Sequence, residues 1–240
     1  MKILQTTWWL YSTALLRSLE CVRKNWVVSF APLAYGIILS GAGMMIWRLG
    51  IIGGILMWLI MQACVSSGLH LLGNMVNTGK AGLDDFVKGF TVYLWELLGI
   101  AFILWIPLRV AATVLSGVTN GALIYFMIQI ALYVFLNPIP ELIYQSRTSG
   151  LELLSASYNF IIENWIEWFI PNIILTVLGY FLLNLLGSLL FGMPALVQSF
   201  LRLFGLGLCL TYVMVFRGFL FAELHGTTRR SREYRYRTRA

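Results

Sequence analysis

The sequence predicts an all-α protein, a polytopic membrane helical bundle. Its six transmembrane helices are expected to form three hairpins, each preceded by a cytoplasmic interfacial amphipathic helix. Three observations predict this fold: an apolar composition, six long apolar runs and an internal repeat. Of the 240 residues, 59% are hydrophobic and only 11% are charged, whereas soluble domains carry about 25% charged residues. Lipid is the solvent that accepts so much apolar surface.

Six apolar runs are long enough to cross a bilayer, which takes about 20 residues of helix. The runs are 26–47, 51–72, 92–109 or a turn beyond, 121–136 with the following turn, 169–191 and 201–221. The third run is the least regular of the six, because it contains Glu96 and Arg109.

The positions of Lys and Arg predict that both termini lie in the cytoplasm, because cytoplasmic loops of membrane proteins are rich in these residues. If the termini and the connections 73–91 and 141–168 share one side, that side holds 14 of the 17 Lys and Arg residues. The opposite side holds only Arg48, Arg109 and Arg202.

A motif of the form N-W-x-x-x-F-x-P occurs twice, 139 residues apart. Its residues are Asn25, Trp26, Phe30 and Pro32 in the first copy and Asn164, Trp165, Phe169 and Pro171 in the second. Each copy follows a stripe of apolar residues at helical spacing, which predicts an amphipathic helix. The stripes are Leu15, Leu19, Val22 and Trp26, and Leu154, Tyr158, Ile161 and Trp165.

A third, diverged unit is expected between these two copies, because apolar residues recur at helical spacing over residues 83–93. The chain is therefore expected to form one six-span membrane domain followed by a basic tail that is disordered. The predicted divisions are the domain 1–225, its repeat units of about 1–79, 80–147 and 148–225, and the tail 226–240.

The second span carries a polar stripe at four-residue steps, formed by Gln62, Ser66, His70 and Asn74. Residues four apart lie on one face of a helix, so the stripe is expected to face protein or water. It is a candidate ligand-binding cavity with His70 as its titratable member. The alternative, favoured on general grounds, is interhelical hydrogen bonding at a packing face.

Glu96 joins the candidate cavity because ionisable residues inside spans are functional candidates. A glutamate is too short to reach the headgroups easily, so a partner such as His70 on the preceding span is expected. Arg109 is thirteen residues away, about 20 Å along a helix, and is expected to extend to the headgroups of the opposite leaflet.

The fourth span is expected to break at Asn137, Pro138, Pro140 and Glu141, because two prolines remove two amide donors. Broken helices in transporters expose carbonyl groups that bind cations. Prolines also simply end helices, which is the more frequent case.

The tail is strongly basic, and its arginines are expected to contact anionic lipid headgroups, worth about 1 kcal/mol per cation. These arginines are Arg229, Arg230, Arg232, Arg235, Arg237 and Arg239. The interleaved tyrosines keep RNA contact as a lesser alternative, but nucleic acid is not the expected partner.

No sequence pattern for catalysis is present: the chain lacks H-E-x-x-H, G-x-S-x-G and a phosphate-binding glycine loop. Its three cysteines are scattered and lack metal-ligand spacing, which favours small buried hydrophobes. We therefore expect no enzyme activity, no cofactor and no metal site.

Around the repeated motif, the stretches Ala14-Leu15-Leu16-Arg17-Ser18-Leu19 and Gly150-Leu151-Glu152-Leu153-Leu154 complete a family likeness. The chain resembles the YciC-like bacterial six-span proteins and the similar membrane segment fused to some glycerophosphodiester phosphodiesterases. The resemblance implies a helical inner-membrane bundle with no established activity. The chain has no soluble phosphodiesterase domain, so that activity is not expected.

These observations favour a multi-pass protein of the bacterial cytoplasmic membrane, acting as an accessory or scaffold component of a membrane complex. Its expected partners are membrane lipids together with other proteins or a second copy of itself. The alternative is a permease-type subunit of a transporter, such as an ATPase-driven exporter, with a polar cavity in the membrane.

Overall fold

A computed structural model describes residues 2–146, 148–227 and 231. This part of the chain is helical and contains no strand. Arg147 and the six tail arginines lie outside the described residues, and so do the headgroup contacts predicted for the tail. The helices are α1 Lys2–Lys24, α2 Ala31–Ile46 (preceded by a 3-10 helix, Trp26–Phe30), α3 Gly50–Thr78, α4 Leu83–Val92, α5 Leu94–Leu115, α6 Gly121–Phe135, α7 Ile139–Ser146, α8 Gly150–Leu189 and α9 Ala195–Leu224.

Six helical segments of the described chain are long and apolar enough to cross a membrane, which confirms the predicted number of spans. The first to sixth spans are Trp26–Ile46, Gly50–Thr78, Leu83–Leu115, Gly121–Ser146, Gly150–Leu189 and Ala195–Leu224. In their most apolar windows only 6% to 33% of the residues are buried within the protein. Surfaces so apolar and so exposed are stable only in lipid.

Three helices lead into a span through a local break in the backbone. Asn25 has φ −117° and ψ 33° between α1 and the first span. Tyr93 has φ −115° and ψ 13° between α4 and α5, and Asn164 has φ −130° and ψ 17° within α8. These angles are similar to one another and depart from the α-helical region. The first and third breaks fall at the Asn of the repeated motif.

The buried residues are concentrated at one end of the bundle, which we call the core end. In α8, buried residues occur between 153 and 172 and none follows up to residue 189; in α9 none occurs before residue 207. The opposite, open end contains the connections 47–49, 116–120 and 190–194. Few residues near these connections are buried, so most apolar side chains there face the surroundings of the bundle.

Helix α9 is the central element of the core end, since its apolar window is the most buried of the six. Its residues Phe216, Leu220 and Phe221 are fully buried and pack with Trp168 of α8. Helix α1 lies against the same region of α9: Arg17 pairs with Glu223 at 3.2 Å.

The face that α1 turns to the bundle differs from the predicted apolar stripe. Leu19 and Trp26 of that stripe are 58% and 54% exposed, whereas Val22 is buried and Leu15 packs against the core. The residues of α1 and its C-terminal end that face the bundle include the small residues Ala14, Ser18 and Cys21. Leu10 and Asn25 are buried on the same face. Small side chains allow α1 to approach α9 closely, whereas the larger ones face outward, where lipid can contact them.

Candidate functional site: paired polar groups at the core end

The interruption of the fourth span places two backbone carbonyls among side chains of other spans. Helix α6 ends at Phe135 and α7 begins at Ile139. The Phe135 carbonyl accepts a hydrogen bond from Ser157 Oγ at 2.7 Å, and the Asn137 carbonyl accepts one from Arg217 Nη2 at 2.8 Å. Both acceptors are therefore occupied by the protein itself.

Glu141 of α7 and Arg217 of α9 form a buried ion pair. Arg217 Nε donates to Glu141 Oε1 at 2.7 Å, and its Nη2 donates to Glu141 Oε2 at 3.0 Å. The glutamate side chain is 0% exposed and the arginine side chain 15%. This bidentate geometry is the strong form of an arginine–carboxylate pair, and removal of one partner would leave a buried charge uncompensated.

Trp168 of α8 connects this ion pair to the fifth span. Its ring centroid lies 5.1 Å from the guanidinium carbon of Arg217, within range of a cation–π interaction. Its indole Nε1 donates to Asn137 Oδ1 at 2.9 Å. The fourth, fifth and sixth spans are thus held together by one polar network, which we call the Glu141–Arg217 lock.

The lock was not predicted from the sequence. Glu141 is predicted only as part of the helix break, and Arg217 only as a cytoplasmic cation. A signal was present, because opposite charges inside spans usually pair with one another. In the structure the charge of each residue is neutralised and the freed carbonyls are occupied. This arrangement fits a structural connection between spans better than a cation-binding site.

The polar stripe of α3 faces α4, and Ser66 serves the backbone break at Tyr93. Its Oγ accepts a hydrogen bond from the Tyr93 amide at 2.9 Å and donates one to the Gly89 carbonyl at 2.6 Å. Tyr93 and Gly89 are four residues apart, the spacing of a helical hydrogen bond. The Ser66 hydroxyl therefore bridges the two groups that an unbroken helix would join directly.

Close packing accompanies this bridge. Ser67 Oγ donates to the Phe86 carbonyl at 2.7 Å and accepts from Tyr35 Oη at 2.9 Å. A Cβ atom on Gly89 would lie 2.8 Å from the Cα atom of Ser67. The middle of the stripe is thus a helix-packing face.

The other residues of the predicted cavity are His70, Asn74, Glu96 and Gln62. His70 Nε2 lies 3.3 Å from Asn74 Nδ2 and 4.0 Å from Asp85 Oδ1. Among the described residues, no hydrogen bond or ion pair joins His70 to Glu96. Glu96 lies instead in the first turn of α5, where the helix dipole favours a negative charge. Gln62, the first residue of the stripe, is half-buried.

The Asn of the repeated motif has a structural role at each break. Asn25 Nδ2 donates to the Cys21 carbonyl at 2.9 Å, four residues back, and to the Gly79 carbonyl at 2.9 Å. Its Oδ1 accepts from the Ala81 amide at 3.0 Å, which fixes the connection between α3 and α4. Asn164 Nδ2 likewise donates to the carbonyl four residues back, that of Phe160, at 3.2 Å.

Cys21 is buried beside this connection. Burial raises the pKa of the Cys21 thiol above its ordinary value. The thiol therefore keeps its proton at neutral pH, and its Sγ donates to the Met75 carbonyl at 3.3 Å. Within the described residues, no group of three His, Cys, Asp or Glu side chains could hold a metal ion.

The open end of the bundle contains an apolar cleft between α3 and α5. The cleft has a volume of about 820 Å³. It is lined by Ile51, Gly54, Ile55, Trp58, Ala101, Phe102 and Trp105. A volume of this size falls within the range of ligand pockets in proteins, and the lining suits an apolar occupant.

Comparison of the chain with protein-family models, curated proteins and solved structures finds no match. The resemblance to YciC-like proteins therefore stays a prediction.

Proposed function

We propose that this protein is a non-catalytic component of a bacterial inner membrane that acts as an accessory or scaffold subunit of a membrane complex. One contrast carries the proposal. At the core end, the buried charges of Glu141 and Arg217 are paired with each other within the chain. At the open end, the chain presents an apolar cleft of about 820 Å³.

The architecture that accompanies this proposal is three hairpins, each introduced by an interfacial helix. The similar backbone breaks at Asn25, Tyr93 and Asn164 support it, since each lies between a leading helical segment and the apolar helix that follows it. The bias of Lys and Arg supports a cytoplasmic position for both termini and for the core end. The resemblance to YciC-like proteins agrees with this arrangement and adds no activity.

The cleft offers the features that helix–helix association in membranes uses. Gly54 lies in its wall with open space where a Cβ would stand, and small residues let backbones approach closely. Trp58 and Phe102 are in edge-to-face contact with centroids 6.1 Å apart, and aromatic side chains are frequent anchors of protein interfaces. A transmembrane helix of a partner protein is the occupant that fits this proposal.

The permease alternative requires a polar passage through the membrane. Three of the groups predicted to line one have partners within the chain: Ser66 bridges the α4–α5 break, and Asn74 contacts His70. The carbonyls at the fourth-span break are occupied by Ser157 and Arg217. These contacts favour the accessory role over the permease.

Site-specific photocrosslinking in native membranes tests the proposal. A photoreactive amino acid at Phe102 is expected to give one discrete protein adduct, the same protein that co-purifies with the chain in mild detergent. The matched control is Phe181 of α8, which is 63% exposed against 57% for Phe102 and lies outside the cleft. It is expected to give lipid adducts only. Lipid adducts alone at both positions would contradict the accessory role.

A further inference from the structure

A second apolar groove lies between α8 and α9, on the side covered by α1. It has a volume of about 280 Å³. Its walls include Leu175, Gly179 and Leu182 of α8 with Cys209 of α9, and its covered end is formed by Leu19 and Val22 of α1. We call it the α8–α9 groove.

The dimensions of the groove suit a single acyl chain. From Leu175 to Leu182 it runs seven residues along α8, about 10 Å, or roughly two-thirds of the depth of one leaflet. A helix of that length and about 10 Å diameter would need roughly 800 Å³, far more than the groove provides. Leu178 and Leu182 are about half exposed, so a chain can enter sideways from the bilayer.

A cation follows the two groove-lining residues of α1 in the sequence. Arg23 comes one helical turn after Leu19 and directly after Val22, on the exposed side of α1. The neighbouring cations of α1 are already paired: Lys24 with Glu20 at 2.7 Å, and Arg17 with Glu223 at 3.2 Å. Within the described chain, Arg23 forms no ion pair. An arginine guanidinium matches the geometry of a phosphate group.

We propose that the α8–α9 groove binds one acyl chain of an anionic phospholipid, whose phosphate group contacts Arg23. This rests on the proposed position of α1 at the membrane surface of the core end, where a lipid of that leaflet would place its headgroup at α1 and its chain between α8 and α9. The site is separate from the apolar cleft between α3 and α5. It binds lipid whether or not a protein partner occupies the cleft.

Native mass spectrometry of the full chain, purified in mild detergent and supplied with phosphatidylglycerol or phosphatidylethanolamine, tests this proposal. The wild type is expected to retain one phosphatidylglycerol in preference to phosphatidylethanolamine. Gly179→Leu fills the groove, because a Cβ at Gly179 meets open space, and is expected to abolish retention. Arg23→Gln is expected to keep lipid binding and lower the preference for phosphatidylglycerol about fivefold, the effect of one cation.

Two variants serve as matched controls. Gly36→Leu makes the same change at another helical glycine with open space, and Lys88→Gln removes another exposed cation of the core end. Both are expected to retain lipid as the wild type does. Alkylation of Cys209 gives a second measurement, since bound phosphatidylglycerol is expected to slow it in the wild type and not in Gly179→Leu. Unchanged retention in Gly179→Leu, or equal losses in the controls, would overturn the proposal.

Discussion

Replacement of Glu141 by alanine tests whether the Glu141–Arg217 pair is a structural connection. The substitution removes the carboxylate partner of Arg217, whose side chain is only 15% exposed in the intact protein. Breaking a buried pair in this way destabilises proteins by about 3–5 kcal/mol. For a chain of this size, about 1 kcal/mol shifts the Tm by about 2–4 °C, so we expect a loss of roughly 6–20 °C in detergent.

The two partners are expected to differ in their effects. A buried carboxylic acid without a partner can in general become neutral, whereas arginine stays charged at any accessible pH. Arg217→Met should therefore lower the Tm less than Glu141→Ala does. The double variant Glu141→Leu/Arg217→Met removes both charges and should recover part of the loss. It should still fall about 1–3 kcal/mol short of the wild type, because the Asn137 carbonyl loses the donor at 2.8 Å.

The assay is thermal unfolding of the purified full chain, followed by intrinsic tryptophan fluorescence, with Glu152→Ala as control. Glu152 is an exposed carboxylate of α8, so its removal should change stability by less than about 1 kcal/mol. If Glu141→Ala unfolded at the wild-type temperature, or if the double variant were as unstable as Glu141→Ala, the pair would not act as a structural connection.

Three further predictions concern the packing of α4 and α1. Ser66→Ala should destabilise the protein by about 1–3 kcal/mol, because the Gly89 carbonyl and the Tyr93 amide lose the hydroxyl that bridges them. As a control, Ser40→Ala on an exposed face should change the free energy of unfolding little. Gly89→Ala should destabilise the protein by about 1–3 kcal/mol, because the added Cβ would lie 2.8 Å from Ser67 Cα. Gly99→Ala, where the space is open, should instead stabilise it by about 0.5–1 kcal/mol. Equal effects of the two substitutions in thermal unfolding would refute the packing account. Burial raises the pKa of the Cys21 thiol, so the thiol should contribute stability below its ordinary pKa and lose that contribution as the pH rises through the raised pKa. Thermal unfolding at alkaline pH should show this loss. The stability of Cys21→Ala should not show this pH dependence.

Much of the fold follows from the sequence because the bilayer imposes a length and a polarity on every span. The runs 51–72 and 201–221 are recovered in the second and sixth spans. The structural helices extend beyond these runs, α3 to Thr78 and α9 from Ala195. Near its end α3 packs against protein rather than lipid, with His70 4.0 Å from Asp85 of α4, and hydropathy alone does not record that packing.

The polar contacts were harder to predict because they depend on where helices cross. The spacing of Ser66 and His70 shows that they share a face, but only the packing of α4 shows that Ser66 bridges Tyr93 and Gly89. Glu141 and Arg217 lie 76 residues apart. Their pairing could have been inferred from two opposite charges in apolar runs, although the contribution of Trp168 could not.

Co-purification in mild detergent tests the central claim, that the chain is an accessory subunit whose cleft holds a partner helix. The variant Gly54→Trp fills the cleft, and Gly43→Trp makes the same change on α2, where the space is also open. We expect the wild type and Gly43→Trp to be isolated with the same membrane protein in fixed stoichiometry, and Gly54→Trp to be isolated without it. A wild-type protein isolated alone, as a monomer with lipid and no protein partner, would contradict the account.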